Sequence, residues 1–117
     1  VNHSLESNCL STDYDLEIAV RDILPGEQLT DDYGYLNVSE PFRPVDEGTE
    51  RKVVYPDDLL NYYKKWDVEI NSVFSKIVEV EQSLKPIMEK ETWTKIKNLI
   101  SKGENPESIL VNHYPGK

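Results

Sequence analysis

Residues 21–35, RDILPGEQLTDDYGY, combine a turn with an extended segment that ends in two tyrosines. Pro25-Gly26 predicts the turn, because proline fixes φ at the first central position and glycine allows a positive φ at the second. A short strand is expected to follow over residues 28–30. Considered alone, the two tyrosines at the end would be half-buried packing residues.

The residues before this stretch predict a further strand. In residues 15–22, DLEIAVRD, the apolar Leu16, Ile18 and Val20 alternate with polar or small residues, as in a half-buried strand. Residues 31–52 then mix glycine, proline and charge without a period, so we expect an ordered loop or linker there.

The second half of the sequence is helical in pattern. A long amphipathic helix is predicted from Leu59 to Val80, because apolar residues recur there at alternating steps of four and three. Pro56-Asp57-Asp58 suits its first turn. A second helix is expected from about Pro86 to Lys102-Gly103, with the glycine just beyond its C-terminus. Asn105-Pro106 would cap a last short helix that runs through Leu110.

Composition narrows the class of protein. The 117 residues suffice for one domain or part of one, and neither a membrane-spanning apolar run nor a signal peptide is present in them. We therefore expect a cytoplasmic protein. The single cysteine, Cys9, cannot form an internal disulfide.

Charge is distributed unevenly along the chain. The net charge is −9, and residues 1–50 carry twelve acidic and two basic residues, whereas residues 51–117 carry ten acidic and eleven basic ones. Direct binding of nucleic acid by the first half would be opposed by phosphate repulsion. A cationic partner would be attracted, although the acidity could also serve solubility alone.

Two motifs indicate a protein family when they are considered together. NHSLESN at residues 2–8 is followed, after the predicted strand, by RDILPGEQLTDDYGY at residues 21–35. In this order and spacing they resemble the C-terminal half of the SET domain, the fold of protein-lysine methyltransferases. The resemblance covers about residues 1–37. It implies an α+β fold: a partial SET β-fold of short strands and loops in residues 1–50, and a helical C-terminal extension in residues 51–117.

The resemblance also implies a chemistry and a set of site residues. SET enzymes transfer a methyl group from S-adenosylmethionine to a lysine side chain, which requires alignment and control of the amine proton. Tyr33 matches the catalytic tyrosine, and Tyr35 a position that often helps line the lysine channel. Asn2 and His3 match the pair that binds the cofactor, with Ser4 beside them. The implied partner is a basic, lysine-containing protein, with no direct role for nucleic acid or membrane.

The sequence departs from the family pattern at several points. Leu5, Ser7 and Asp31 stand where the family usually has cysteine, proline and an apolar or aromatic residue. The cysteine-rich zinc module that follows many SET domains is absent, and we expect the helices to occupy its place in the chain. The segment that precedes the NHS motif in a complete SET domain is also absent. Part of the cofactor pocket is therefore expected to be missing, which leaves open whether this chain is active alone.

The sequence also raises three other interpretations. The helical stripe over residues 57–81 could serve association with another chain, a second copy included, which would make the chain a non-catalytic interaction fragment. No metal site is predicted, because Asp13-x-Asp15 lacks the further ligands and the glycine of a calcium loop. Asp31 and Asp32 could form a carboxylate pair, but adjacent residues of an extended segment point apart.

Overall fold

A computed structural model describes residues 2–12, 14, 16–80, 82, 86 and 88–114. Asp13 and Asp15, with the expected start of the strand, lie outside the described residues. The strands are β1 (Asn2–His3), β2 (Cys9–Ser11), β3 (Glu17–Ala19) and β4 (Thr30–Asp31), and the α-helices are α1 (Asp58–Val73) and α2 (Lys90–Ser101). Short 3₁₀ helices span Tyr33–Tyr35, Phe74–Val78 and Ile109–Asn112.

The strands form two small sheets. β1 pairs in parallel with β4, and β2 pairs antiparallel with β3 in the register Leu10↔Ile18. The predicted alternation in β3 is confirmed, because Ile18 is half-buried while Glu17 and Ala19 are exposed. β4 is found at residues 30–31 rather than 28–30. The expected loop over residues 31–52 is largely irregular, but it contains a 3₁₀ turn.

One hydrophobic cluster joins the two halves of the chain. Leu10 and Tyr35 from the first half pack with residues of α1 and with Ile109. The α1 residues in this cluster are Leu59, Trp66 and Ile70, three members of the predicted apolar stripe. Much of the stripe is therefore covered within the chain, by the residues that precede it and by the C-terminal 3₁₀ helix.

The helices differ from expectation at their ends. The α-helical part of the first one ends at Val73 and continues as a 3₁₀ helix to Val78, so Val80 is exposed rather than part of the stripe. α2 begins at Lys90, later than the expected start near Pro86. Its predicted end is confirmed: Gly103 has φ +69°, and its N–H donates to Ile100 O at 3.1 Å.

The prediction of the last helix is wrong in the position of the helix and in its N-cap residue. The 3₁₀ helix Ile109–Asn112 is capped by Ser108, whose hydroxyl accepts from Leu110 N–H. Asp67 of α1 holds this N-terminus, because its carboxylate accepts from the Ser108 hydroxyl at 2.5 Å and from Ile109 N–H at 2.8 Å. A side chain 41 residues away therefore decides where this helix begins.

The fold class is mixed α+β, as predicted, with small strands and two α-helices among the described residues. In that part of the chain no helix is both long and apolar enough to cross a membrane.

Candidate functional site

The two sequence motifs lie side by side. β1 belongs to the first motif and β4 to the second, and beyond their pairing Ser4 N–H donates to Asp31 O at 2.9 Å. Asn8 adds a second connection: its Oδ1 accepts from Thr30 N–H at 2.9 Å, and its Nδ2 donates to Gln28 O at 2.8 Å. Asn8 is almost fully buried, so these bonds form a rigid link between residues 2–8 and residues 28–31.

His3 and Tyr33 are in direct contact at this junction. Tyr33 N–H donates to His3 Nδ1 at 3.0 Å, and the two ring centroids lie 5.1 Å apart. An accepting Nδ1 requires that the neutral ring carry its proton on Nε2. Burial lowers the pKa of His3 from its ordinary value of 6.5, which keeps the imidazole neutral at pH 7. His3 Nε2 itself is buried and has no hydrogen-bond partner among the described residues.

Phe42 covers this pair from the irregular segment 36–57. Its ring centroid lies 5.5 Å from that of His3 and 6.1 Å from that of Tyr33. A β-bridge to Val54 holds Phe42 in place through two backbone hydrogen bonds. The segment therefore packs an aromatic ring over the junction of the two motifs.

Asn2 and Ser4 flank His3 in different environments. Asn2 is exposed, whereas Ser4 is buried. The Ser4 hydroxyl donates to Glu47 Oε1 at 2.7 Å, and Leu5 N–H donates to Glu47 Oε2 at 2.7 Å. Glu47 therefore fixes the loop after β1, and the Ser4 hydroxyl serves an internal bond.

Tyr35 lies in the core. It is only 2% exposed, and its ring meets that of Trp66 edge-on at 5.5 Å. Its hydroxyl is within 2.8 Å of Asp31 Oδ1 and 3.2 Å of Cys9 O. Burial, followed by the hydrogen bond to Asp31, raises the pKa of Tyr35 well above its ordinary value. The structure thus brings Tyr33 together with His3 and directs Tyr35 into the cluster around Trp66.

A buried ion cluster supports the tyrosine motif from the side of α1. The Arg51 guanidinium binds the Asp32 carboxylate and, at 2.7 Å, the Asp58 carboxylate. The Arg51 side chain is 11% exposed and each carboxylate side chain 1%. The guanidinium also lies 4.6 Å from the centroid of the Tyr62 ring, in cation–π geometry.

The ion cluster of Arg51, Asp32 and Asp58 requires a glycine at position 34. A Cβ at that position would lie 2.7 Å from Arg51 Nη2 and 3.1 Å from Asp58 Cβ. The glycine between the two tyrosines therefore allows Arg51 to approach the backbone beside Tyr33.

Sequence reasoning missed Arg51, Glu47 and Phe42. All three lie in the aperiodic segment that was expected only to be a loop. Some of their partners are distant in sequence: Glu47 binds Ser4, 43 residues away, and Arg51 binds Asp32, 19 residues away. The available signal was weak: Arg51-Lys52 is a basic pair that follows a strongly acidic stretch. As expected, Asp31 and Asp32 diverge, since Asp31 contacts Tyr35 while Asp32 binds Arg51.

Comparisons of the chain with protein-family models, with curated proteins and with solved structures find no match. Within the described residues, no group of three or more His, Cys, Asp or Glu side chains is arranged to hold a metal ion. An assignment of function therefore depends on the motifs and on their geometry.

Proposed function

We propose that this chain contributes to an S-adenosylmethionine-dependent protein-lysine methyltransferase site of the SET type. In this proposal residues 1–50 form the C-terminal part of the SET fold, and the substrate is a lysine on a basic protein. The carrying observation is the hydrogen bond from Tyr33 N–H to His3 Nδ1 at 3.0 Å, which joins the two motifs across 30 residues of chain.

The residues around His3 fit a polar cofactor in part. Asn2 is exposed next to the junction, and His3 Nε2 is a buried donor with no partner among the described residues. Asn2 would therefore hold the cofactor's amine through its side-chain amide, with His3 beside it. Ser4 would not contribute its hydroxyl, which donates to Glu47. When bound, S-adenosylmethionine would supply a methyl group bonded to a sulfonium sulfur, and that sulfur would leave as a neutral thioether when the amine attacks.

Tyr33 would act on the acceptor rather than on the cofactor. A phenol offers a ring wall to an aliphatic stem and a hydroxyl that can orient an amine without carrying charge. The target amine must be neutral to attack, and removal from water near a sulfonium favours its neutral form. Tyr35 would support this site from behind, since its hydroxyl is bonded to Asp31 and Cys9.

Cofactor binding tests the proposal. Calorimetric titration of the 117-residue chain with S-adenosylmethionine, at protein concentrations that reveal millimolar affinity, should give saturable binding that Asn2→Ala abolishes. Asn105→Ala is the matched control, because Asn105 is also exposed and lies outside the two motifs. A folded chain that shows no saturable binding, or equal loss of binding in both variants, would contradict the proposal.

The alternative role, association through the helix over residues 57–81, stays a prediction. This prediction was based on the apolar stripe of the helix, which would need a partner chain if nothing within the chain covered it. Leu59, Trp66 and Ile70 of that stripe are buried within the chain, so these residues need no second copy to cover them. We therefore favour the methyltransferase site.

A further inference from the structure

Arg51 reaches both the tyrosine motif and helix α1. Its Nη1 donates to Asp32 Oδ2, and its Nη2 donates to Asp58 Oδ2 at 2.7 Å. Asp32 directly precedes Tyr33, and Asp58 is the first residue of α1. One guanidinium group therefore connects the segment that carries Tyr33 to the start of the helix.

Asp32 transmits this contact to the tyrosine turn, the 3₁₀ helix Tyr33–Tyr35. It is the N-cap of that helix, and its Oδ1 accepts from Gly34 N–H at 2.8 Å. The Asp32 side chain is 1% exposed, so water does not compete for these hydrogen bonds. The carboxylate that binds Arg51 also caps the turn, and a shift of the guanidinium would therefore move the turn with it.

The guanidinium group has little freedom to shift. Its central carbon lies 4.6 Å from the centroid of the Tyr62 ring and 5.8 Å from that of the Trp66 ring, both on α1. The Arg51 side chain is 11% exposed. Two carboxylates and two aromatic rings thus hold a planar, forked cation. A lysine ammonium, which is a point charge on a flexible stem, does not reproduce this arrangement.

His3 holds the tyrosine turn from β1. Tyr33 N–H donates to His3 Nδ1 at 3.0 Å. The backbone of Tyr33 is therefore fixed by an acceptor on β1 and by a cap that depends on Arg51. A displacement on the Arg51 side would lengthen the bond to His3 and change the direction in which the phenol points.

We propose that Arg51 is a positioning residue for Tyr33. By binding Asp32 and Asp58 together, it sets the tyrosine turn against α1 and so fixes where the phenol lies. The helical part of the chain then acts on the site, in addition to covering the core. The effect of Arg51 on catalysis rests on the proposed function, whereas the placement of Tyr33 is measurable without methyl transfer.

Amide hydrogen exchange, followed by NMR on the ¹⁵N-labelled 117-residue chain, measures how firmly Tyr33 is held. Arg51→Lys keeps the positive charge that the two buried carboxylates need, but loses the planar fork. Exchange at the Tyr33 and Gly34 amides should accelerate by about tenfold, as expected for loss of a hydrogen bond between charged groups. The Val20 amide, which donates to Asn8 O at 2.9 Å outside the ion cluster, should be unchanged. Equal acceleration at all three amides would indicate general destabilisation and would overturn the positioning role.

Arg21→Lys is the matched control for this substitution. Arg21 also pairs with a carboxylate, that of Glu27, but its side chain is 50% exposed and the pair lies outside the ion cluster. Exchange at the Tyr33 amide should not change in this variant. Acceleration at Tyr33 equal to that in Arg51→Lys would overturn the proposal.

Asp58→Asn tests the connection to α1 without altering Arg51 or Asp32. It removes the charge that holds the guanidinium on the helix side, and asparagine has nearly the same volume as aspartate. Exchange at the Tyr33 amide should again accelerate, whereas Asp46→Asn, in the exposed pair with Lys52, should leave it unchanged. A Tyr33 amide that exchanges at the original rate in both Asp58→Asn and Arg51→Lys would overturn the proposal.

Methyl transfer from S-adenosylmethionine to a lysine-rich basic protein measures the consequence for catalysis. Arg51→Lys should lower kcat by about tenfold or more, because misplacement of a reacting group disturbs alignment. The KM for the cofactor should be unchanged, since Asn2 rather than Tyr33 is assigned to bind it. A raised KM with unchanged kcat would overturn the positioning role. An unmodified chain that transfers no methyl group would contradict the proposed function, and the exchange rate at Tyr33 would still decide the role of Arg51.

Discussion

Replacing Arg51 with methionine should destabilise the protein more than any exposed charge change. The substitution removes the guanidinium that joins Asp32, next to Tyr33, to Asp58 at the start of α1. Asp32 and Asp58, whose side chains are each 1% exposed, then lack the cation that they share. Methionine keeps much of the aliphatic volume, so the effect measured is mainly that of the charge.

The magnitude follows from the burial of the cluster. Removing one partner of a buried ion pair costs about 3–5 kcal/mol. Each carboxylate retains one backbone donor, Gly34 N–H on Asp32 and Tyr55 N–H on Asp58, so we place the loss near the lower end, at about 3 kcal/mol. This is a large fraction of the roughly 5–15 kcal/mol that stabilises a typical domain.

Urea unfolding followed by tryptophan fluorescence measures the loss. With an m-value of about 2 kcal/mol per molar, the midpoint should fall by about 1.5 M. Lys52→Met is the matched control, because Lys52 is the next residue and its ion pair with Asp46 is exposed on both sides. A midpoint for Arg51→Met within experimental error of that for Lys52→Met would refute the assigned role of the cluster.

Three further predictions concern the site and its surroundings. Gly34→Ala should cost about 1–3 kcal/mol in urea unfolding, because its Cβ would lie 2.7 Å from Arg51 Nη2; an unchanged midpoint would contradict the geometry. His3 has a pKa below 6.5 in the folded state, so the unfolded chain takes up the proton first and stability should fall as pH decreases below 6.5. An NMR titration that gives His3 a pKa above 6.5 would disagree with its burial and with the bond from Tyr33. Cys9 is buried and burial raises its pKa, so iodoacetamide should modify it slowly in the native protein and rapidly in urea; equal rates would count against the core position.

Local patterns predicted the parts of the fold that depend on neighbouring residues. The alternation around Ile18 and the glycine at the end of α2 were recognised because both are set by backbone geometry within a few residues. The stripe from Leu59 onward was identified, but not the change from α-helix to 3₁₀ helix after Val73. The start of the C-terminal 3₁₀ helix was misplaced because Asp67, a distant residue, holds it.

In the candidate site, too, some features could be predicted from the sequence and others depend on tertiary contacts. The family resemblance assigned Asn2, His3 and Tyr33 to one site, but it gave no means of deciding that Tyr35 points into the core. The role of Arg51 was not predicted because an ion pair produces no periodic pattern in the sequence. Whether the ion pair forms depends on which segments of the chain meet in three dimensions.

The most direct test of the account is methyl transfer that depends on Tyr33. The chain would be incubated with S-adenosylmethionine labelled in its methyl group and with a lysine-rich basic protein, and the label on lysine would be measured. We predict transfer that Tyr33→Phe abolishes without loss of the far-UV circular dichroism signal, and that the exposed control Tyr55→Phe leaves unchanged. Absence of transfer by a chain that binds the cofactor, or equal transfer by Tyr33→Phe, would contradict the account.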